Sequence, residues 1–347
     1  MKEKKTENTE FINIDFDKVW KYVHITRPGK ERIKWLLFTL TPNPFTRFAV
    51  YHNWKTAQLF ANRHSNTWSI DYWKRQFFHH YYIDTRGTNS PPKSTNEILK
   101  IAIVVHVFYL DVFEEIISLL KESDFQNFKL FITCPNYLSS SIMTIISHAN
   151  FEFQITEVEN RGRDVLPFLK ILPGVFNDGF GLIVKIHTKR SNHLKKNEQW
   201  RDDLFLKLLS NGNLSNIILT FQQNEQIGMI GPANHILPMS MYYGGNSQRV
   251  LDLSMRMGLK REKLQDLHFV AGTMFAARKE AILPVLDLGL TELDFEPEGQ
   301  QLDGTMAHSV ERIFAAGLLK SGLKLADTSS KPDRTQCRIN LNHKFTI

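Results

Sequence analysis

The residues best suited to chemistry in this sequence lie where a strand-forming run ends abruptly in basic and polar groups, GLIVKIHTKRS, residues 181–191. Ligands of open α/β sheets bind just beyond the carboxyl ends of strands, so Lys185, His187 and Lys189 are candidates to hold an anionic ligand there. A simpler interpretation stays open, in which both lysines are solvated and His187 is packed with its polar edge in water. A metal site is not favoured, because it needs carboxylates or more histidines at suitable spacing, and the nearest histidine, His193, lies on a polar loop.

A second basic motif, ENRGRDVLPFL, spans residues 159–169 and follows a predicted strand. Its turn consists of Asn160, Arg161, Gly162, Arg163 and Asp164. The asparagine and glycine suit turn conformations, and Asp164 can cap the helix that is predicted to follow. Capping does not explain two arginines in one tight turn, whereas Arg161 and Arg163 beside a helix N-terminus suit phosphate oxygens.

Two later motifs carry further candidate residues. VAGTMFAAR places Gly272 and Thr273 in a bend inside a single predicted strand, and glycine inside a strand often marks close approach of a ligand to the backbone. In DGTMAHSVER, spacings of three and four put three residues on one helix face: His308, Glu311 and Arg312. Asp303 either caps that helix or faces the carboxyl edge of the sheet as a base, and one role does not exclude the other.

Composition places the chain among ordinary globular proteins that have anionic partners. It has 347 residues, 42% hydrophobic and 23% charged, with a net charge of +7 and a pI near 9.2. Its two cysteines, Cys134 and Cys337, make neither a disulfide framework nor a zinc site by themselves and fit a reducing compartment. No apolar run reaches the roughly 18 residues of a membrane-spanning helix, and the charged first residues resemble no signal peptide, so we expect a cytoplasmic location.

Sequence signatures of several common protein classes are absent. There is no Walker phosphate loop, no GxGxxG after the first predicted strand, and no GxSxG or HExxH motif. No RNP-like aromatic motif accompanies the basic and aromatic residues near the N-terminus, so no nucleic-acid partner is expected. These absences argue against kinases, dinucleotide-dependent dehydrogenases, hydrolases of the GxSxG type and zincins.

The predicted elements divide the chain into four segments. From residue 98 on, strand-like runs alternate with amphipathic helical stretches, which indicates a doubly wound, mainly parallel α/β sheet whose last strand is LKLADTS. The earlier part is aromatic and basic and is typical of a mostly helical appendage, ending in a linker rich in Gly, Pro, Ser and Asn. The predicted segments are a disordered tail at 1–15, the appendage with its linker at 16–97, the α/β domain at 98–328 and a C-terminal tail at 329–347.

The ordered set of motifs VVHVFY, ENRGRDVLPF, KIHTKRS, YYGGN, VAGTMFAAR and DGTMAHSVER resembles the rhamnan synthesis protein F family. The resemblance covers about residues 98 to 328, and the aromatic and basic appendage before them lies outside it or at its margin. It implies a GT-A-like glycosyltransferase that builds a cell-surface polysaccharide such as O-antigen, capsule or rhamnan. The implied donor is dTDP-rhamnose or a UDP-hexose, galactofuranose included, and the implied acceptor is a lipid-linked glycan.

The resemblance also implies roles for individual residues. In the GT-A class the corresponding strand ends in an Asp-x-Asp motif that holds a divalent metal, and here His187-Thr188-Lys189 stands in that place. Magnesium or manganese is therefore not expected to be strictly required, and no metal ligand is assigned. The implied donor-binding residues are His106, Asn160, Arg161, Gly162, Arg163, Asp164, Lys185, His187 and Lys189. The implied acceptor or sugar pocket consists of Gly244, Gly245, Gly272, Thr273 and His308.

An inverting transferase needs one carboxylate to take the acceptor's proton, and Asp303 is the first choice, with Glu311 the second. A retaining mechanism does not require that base, and the stereochemistry stays open.

The alternative function is a non-catalytic scaffold of a polysaccharide assembly complex that binds nucleotide sugars or a membrane. Basic and aromatic residues near Trp35, Phe38, Trp54 and Trp73 suit an anionic membrane surface, and they equally suit a helical subdomain packed on the sheet. We expect peripheral contact at the inner face of the cytoplasmic membrane. The combination of basic residues with two candidate carboxylates favours an enzyme over a scaffold.

Overall fold

The computed structural model describes residues 27–46, 48, 50–52, 54–55, 80–84, 99–188, 197–210, 212–264, 267–299 and 303–340. Predictions for Lys189, His193 and Trp73 lie outside these residues. The strands are β1 (His80–Asp84), β2 (Lys100–His106), β3 (Lys129–Cys134), β4 (Glu152–Glu157), β5 (Phe180–His187), β6 (Ile227–Gly231), β7 (Ile236–Pro238), β8 (His268–Val270), β9 (Phe275–Arg278), β10 (Lys324–Asp327) and β11 (Gln336–Asn340). The α-helices are α1 (Arg27–Leu40), α2 (Leu110–Glu122), α3 (Ser139–Ser147), α4 (Val165–Asn177), α5 (Asn197–Leu209), α6 (Asn213–Gln223), α7 (Met239–Tyr242), α8 (Ser247–Arg256), α9 (Lys279–Leu286) and α10 (Met306–Lys320).

A seven-stranded sheet in the order β10-β6-β9-β5-β2-β3-β4 forms the centre of the molecule. Its strands are parallel except β9, which runs antiparallel to both β5 and β6. The predicted doubly wound, mainly parallel α/β fold is therefore confirmed. The expectation that β5 lies beside the first strand of the sheet is also confirmed, since β2 and β5 pair with His106 opposite His187.

Helices cover both faces of this sheet, and strand alternation decides which side chain points to which face. In β5, Leu182 and Val184 join the apolar cluster that contains α2, α3, α5 and α6, whereas Ile183 joins the cluster that contains α4, α9 and α10. Because side chains alternate along a strand, Lys185 and His187 share the face of Ile183. The strand thus sends its basic residues toward α4 and α10.

A smaller four-stranded sheet, in the order β1-β11-β7-β8, departs from the predicted layout. β1 comes from the predicted appendage and β11 from the predicted C-terminal tail, and the two pair antiparallel. β10 is therefore not the last strand. The signal for β11 was weak because only Cys337 and Ile339 are fully buried in it, and its partner β1 is distant in the sequence.

The single strand predicted across HFVAGTMFAAR is wrong. β8 pairs with β7 in the smaller sheet, and β9 lies between β5 and β6 in the larger one. The chain changes sheets between them, where Gly272 has φ +89° and Thr273 has φ +52°. Left-handed backbone at two consecutive residues ends the first strand, so apolar residues on both sides of the bend belong to different sheets.

Within the predicted appendage, the structure describes helix α1 as well as strand β1. α1 places the Phe38 ring against three aromatic rings, with centroid separations of 5.0 Å to Phe45, 5.4 Å to Tyr51 and 5.2 Å to Trp54. Phe38 and Trp54 therefore pack against each other. Within the described ranges, no helix combines the length and apolar character needed to cross a membrane.

Candidate functional site

Three basic side chains meet at the carboxyl edge of the large sheet. His106 ends β2 and His187 ends β5, directly opposite each other, and Lys185 lies two residues before His187, opposite Val104. The neighbouring strand β9 begins there, with Phe275 opposite Lys185. The edge therefore gathers residues from two parallel strands together with the bend that precedes β9.

Lys185 is held in a buried ion pair. Its Nζ donates to Asp164 Oδ2 at 2.6 Å and to the Thr273 carbonyl at 3.0 Å, and it lies 5.2 Å from the centre of the Phe168 ring. The Lys185 side chain is only 1% exposed, so the interpretation of a solvated Lys185 is wrong. A carboxylate beside it offsets the cost of burying an ammonium group.

Asp164 stands at the N-cap position of α4 but does not cap the helix through its side chain. Its Oδ2 accepts from Lys185 and, at 2.6 Å, from the Thr273 hydroxyl. The predicted capping bond is therefore absent, because the carboxylate turns into the sheet to neutralise the buried ammonium. One carboxylate thus ties the turn before α4 to the bend before β9.

The two histidines of this edge are buried and differ in their partners. His187 Nε2 donates to the Gly272 carbonyl at 2.8 Å and lies 3.9 Å from Asp164 Oδ2. His106 Nδ1 is 3.0 Å from the Thr133 hydroxyl. Burial lowers the pKa of His106 from 6.5 to about 4, so its ring is neutral at physiological pH. The interpretation of a wet polar edge on His187 is wrong, because that edge is bonded to backbone.

A ligand was predicted to approach the backbone closely at Gly272, but in the structure a side chain of the protein itself does so. A Cβ at Gly272 would lie 2.7 Å from Cη2 of Trp200, which belongs to α5. On its other side, the Gly272 N–H donates to Glu311 Oε1 at 2.7 Å. Trp200 was not predicted as part of the site, since its position over the bend depends on how α5 packs and leaves no local signal.

The arginine turn before α4 has consecutive left-handed residues, Gly162 at φ +65° and Arg163 at φ +56°. A Cβ at Gly162 would lie 2.5 Å from the Leu166 Cβ and 2.7 Å from the Phe295 ring, so the turn requires glycine there. The Arg163 N–H donates to Glu298 Oε1 at 2.8 Å. Glu298 was also not predicted, because it lies in a loop with no recognisable motif.

His308 orients the Arg163 guanidinium. Arg163 Nη1 lies 2.8 Å from His308 Nε2, and arginine can only donate, so Nε2 accepts and the imidazole proton is on Nδ1. Nδ1 then donates to the Thr305 hydroxyl at 2.7 Å. Thr305, and not Asp303, is the N-cap of α10, and its side chain accepts from the His308 backbone N–H.

Asp303 holds the loop that contains the two predicted pocket glycines. Its Oδ2 accepts from the Gly245 N–H at 2.9 Å, and its Oδ1 accepts from the Asn246 side chain at 2.6 Å. A Cβ at Gly244 would lie 2.0 Å from Asp303 Oδ2. Burial by itself raises the pKa of Asp303, but the Arg312 guanidinium and these donors outweigh burial and lower it below its usual value.

Most of the predicted site residues therefore belong to two connected groups. The inner group at the sheet edge consists of His106, Asp164, Lys185, His187, Gly272, Thr273 and Glu311. The outer group consists of Arg163, His308, Asp303, Gly244 and Gly245. Asp164 follows Arg163 directly, and His308 and Glu311 share α10, so the groups adjoin. Asn160 is exposed, and Arg161 bridges Pro297 through its backbone.

The residues at this edge do not match a divalent metal site. Among the described residues, no three His, Cys, Asp or Glu side chains come together in a way that could hold an ion. The Asp164 carboxylate, 3.9 Å from His187 Nε2, already has the Lys185 ammonium 2.6 Å away. A second cation beside that ammonium would be repelled at close range.

Comparisons with known proteins identify the family and its extent. The profile of a family described as rhamnan synthesis protein F matches residues 59–320. Two curated relatives, both named uncharacterized protein WxcX, come from Xanthomonas campestris pv. campestris strains B100 and ATCC 33913. Each is 32% identical over 220 residues, which cover 63% of this chain and 31% of the relative. The match thus spans less than a third of the relatives' length. The family match begins at residue 59, within the predicted appendage, whereas the resemblance was expected to begin at about residue 98.

Proposed function

The chain belongs to the rhamnan synthesis protein F family, and on that premise we propose that it is a glycosyltransferase of polysaccharide synthesis. It would move a sugar from a nucleotide-sugar donor, dTDP-rhamnose or a UDP-hexose, to a growing cell-surface glycan. The description of the family supports a role in rhamnan synthesis. The transfer reaction, the donor and the lipid-linked acceptor are parts of the proposal.

One observation carries the proposal: an arginine turn lies directly before α4, at the carboxyl edge of the mainly parallel sheet. Arg163 is half-buried and its guanidinium is already oriented by His308. Helix N-termini and guanidinium groups both favour phosphate oxygens. A donor diphosphate placed against Arg161 and Arg163 would therefore meet two positive side chains and the positive end of a helix.

The inner group then has a positioning role. The Lys185 ammonium is neutralised by Asp164 and bonded to Thr273, so it fixes the turn and the bend relative to each other. Glycosyl transfer develops positive charge on the sugar and negative charge on the departing diphosphate. Preorganised donors at the leaving group are each worth about 3 to 4 kcal/mol in comparable sites. The inner group would contribute by fixing the backbone of the turn that carries Arg163, whose guanidinium is oriented by His308.

Of the two candidate carboxylates, we assign proton acceptance to Glu311 and positioning to Asp303. The lowered pKa of Asp303 makes it a weak base, and both its oxygens hold the loop at Gly245 and Asn246. Asp303→Asn should therefore lower the free energy of unfolding as well as turnover. Glu311→Gln should lower turnover while leaving nucleotide binding nearly intact. If only Asp303→Asn affects turnover, the assignment is reversed.

The test of the proposed function is turnover of a panel of nucleotide sugars. Purified protein is incubated with dTDP-rhamnose, UDP-glucose, UDP-galactose and UDP-galactofuranose, with water accepting the sugar, and the nucleoside diphosphate released by this hydrolysis is measured with and without EDTA. The proposal expects release from at least one donor, and it expects that release to persist in EDTA. No release from any donor contradicts the transferase, while release that EDTA abolishes and manganese restores contradicts the metal-free mechanism.

A second candidate function, a nucleotide-sugar-binding scaffold without catalysis, is favoured by one specific observation. Asp303 and Glu311 each accept a backbone N–H, from Gly245 and from Gly272. Carboxylates used in this way can serve loop structure alone. Nucleoside diphosphate binding without turnover of any donor would favour the scaffold.

A further inference from the structure

Helix α1 turns an apolar face outward. Four large apolar side chains on it are exposed: Ile33 at 37%, Trp35 at 44%, Leu36 at 51% and Leu40 at 68%. Arg32 and Thr39 are exposed among them. We call these six residues the α1 outer face. Spacings of three and four place them on one side of the helix, around Leu36.

The opposite side of α1 is buried and carries lysines. Lys30, Lys34 and Phe38 follow at intervals of four residues, and each is less than a tenth exposed. The helix is therefore more apolar toward the outside than toward the molecule, the reverse of an ordinary surface helix. Contiguous exposed apolar surface of this kind marks an interaction site.

We propose that the α1 outer face docks on the surface of an anionic lipid bilayer. The occupant follows from charge and side-chain chemistry. The chain carries a net charge of +7, and Arg32, the charged member of the α1 outer face, is basic. An anionic lipid surface attracts such a segment, and the attraction adds to the burial of apolar side chains.

The residue types of the outer face fit the boundary between headgroups and acyl chains. Trp35 combines an apolar ring with a polar N–H, and Arg32 can bury its stem while its guanidinium stays at the headgroups. Leu36, Leu40 and Ile33 supply the apolar surface that enters the acyl boundary. At 14 residues the helix is about 21 Å long, which suits a helix lying in the plane of the interface.

The position of α1 gives this surface a functional consequence. α1 contacts α7, and α7 leads directly into the loop of Gly244 and Gly245 that Asp303 holds. Docking α1 would therefore bring that loop close to the lipid surface. The docking itself does not depend on the proposed transferase activity, because it rests on the outer face alone.

The experiment is co-sedimentation of the full chain with lipid vesicles. Vesicles of phosphatidylcholine with phosphatidylglycerol are compared with vesicles of phosphatidylcholine alone, at low and at high salt. The variant Leu36→Glu/Leu40→Glu places two negative charges on the outer face. The matched control is Leu293→Glu, the same change at a leucine that is 92% exposed outside α1. Far-UV circular dichroism checks that the variants fold, which is expected because the replaced side chains already contact water.

The wild type and Leu293→Glu should sediment with the anionic vesicles, less at high salt, and the double variant should lose binding by about tenfold or more. Four results would overturn the docking. The first three are no binding by the wild type, equal binding by the double variant, and equal binding of the wild type to neutral vesicles. A fourth is a wild-type dimer that the double variant converts to monomer without any vesicle binding, since the face would then contact a second copy of the chain.

Discussion

At the residue scale, stability depends strongly on the buried ion pair of Lys185 and Asp164. Lys185→Met keeps most of the side-chain volume but leaves the Asp164 carboxylate buried without its ammonium partner. Breaking such a pair from one side typically costs about 3 to 5 kcal/mol, so the free energy of unfolding should fall by that amount. Urea unfolding of the wild type and the variant measures the difference.

A surface pair supplies the control for this substitution. Lys129 lies 3.3 Å from Glu152, whose side chain is largely exposed, and pairs of this kind contribute about 0 to 1 kcal/mol. Lys129→Met should therefore change the free energy of unfolding far less than Lys185→Met. The double variant Lys185→Met/Asp164→Leu, which removes both charges, should recover much of the loss. Equal effects of Lys185→Met and Lys129→Met would contradict the account of the buried pair.

His106 gives the protein a pH-dependent stability in the mildly acidic range. Burial lowers its pKa from 6.5 to about 4, so between these values the unfolded chain binds a proton that the folded chain does not. The free energy of unfolding should therefore decrease as the pH falls from about 6.5 to about 4, by up to about 3 kcal/mol from this group.

The variant His106→Gln should weaken that pH dependence. Urea unfolding at about pH 7 and about pH 4.5 compares the variant with the wild type. The pKa of His235 is also lowered, chiefly by burial, so part of the slope should remain in the variant. The stability that Asp303 contributes through its own lowered pKa is lost only as the pH falls below 3.8, outside this window. An unchanged difference between the two pH values would contradict the assignment to His106.

At the element scale, the bend between β8 and β9 connects the two sheets and contacts both α5 and α10. Gly272→Ala would combine left-handed backbone with a Cβ placed 2.7 Å from the Trp200 ring. We expect a loss of stability well beyond the roughly 1 to 2 kcal/mol of a left-handed alanine, together with a loss of turnover, because Gly272 also binds Glu311 and His187.

Gly289 offers a matched control for Gly272→Ala. It also has left-handed backbone, at φ +63°, but a Cβ there meets no atom within 4 Å. Gly289→Ala should therefore show the backbone cost alone in thermal or urea unfolding. If the two alanine variants are equally stable, the contact between Trp200 and Gly272 does not constrain the bend.

The elements also show how far sequence reasoning could go. The run of strand formers in β5 predicted the strand, and the basic residues at its end predicted a candidate ligand-binding edge, because strand propensity and carboxyl-edge chemistry are local properties. The split at Gly272 was not predictable from apolar runs, since both flanks look alike and only the backbone angles separate them. The roles of Trp200 and Glu298 depend on long-range packing, so the sequence held no local signal for either.

At the scale of the whole molecule, we propose that the turn before α4 at the carboxyl edge of the sheet binds phosphate and that helix α1, beside the loop of Gly244 and Gly245, binds lipid. Arg163→Ala should lower turnover of the donor by about 10²-fold or more, on the scale of losing one preorganised donor. Arg256→Ala is the matched control, because Arg256 ends α8 and donates to the Leu288 carbonyl outside the site. Equal turnover by the two variants would contradict a role for Arg163 at the diphosphate.

The most direct test of the central claim is a calorimetric titration of dTDP and UDP into the wild type, Arg163→Ala and Arg256→Ala in the presence of EDTA. The account predicts that the wild type and Arg256→Ala bind at least one of the nucleotides with similar affinity. Arg163→Ala should bind it about tenfold more weakly or worse, the loss of one charge-assisted bond. Absence of binding by the wild type, or equal affinity of Arg163→Ala, would contradict the claim that this turn holds a nucleoside diphosphate.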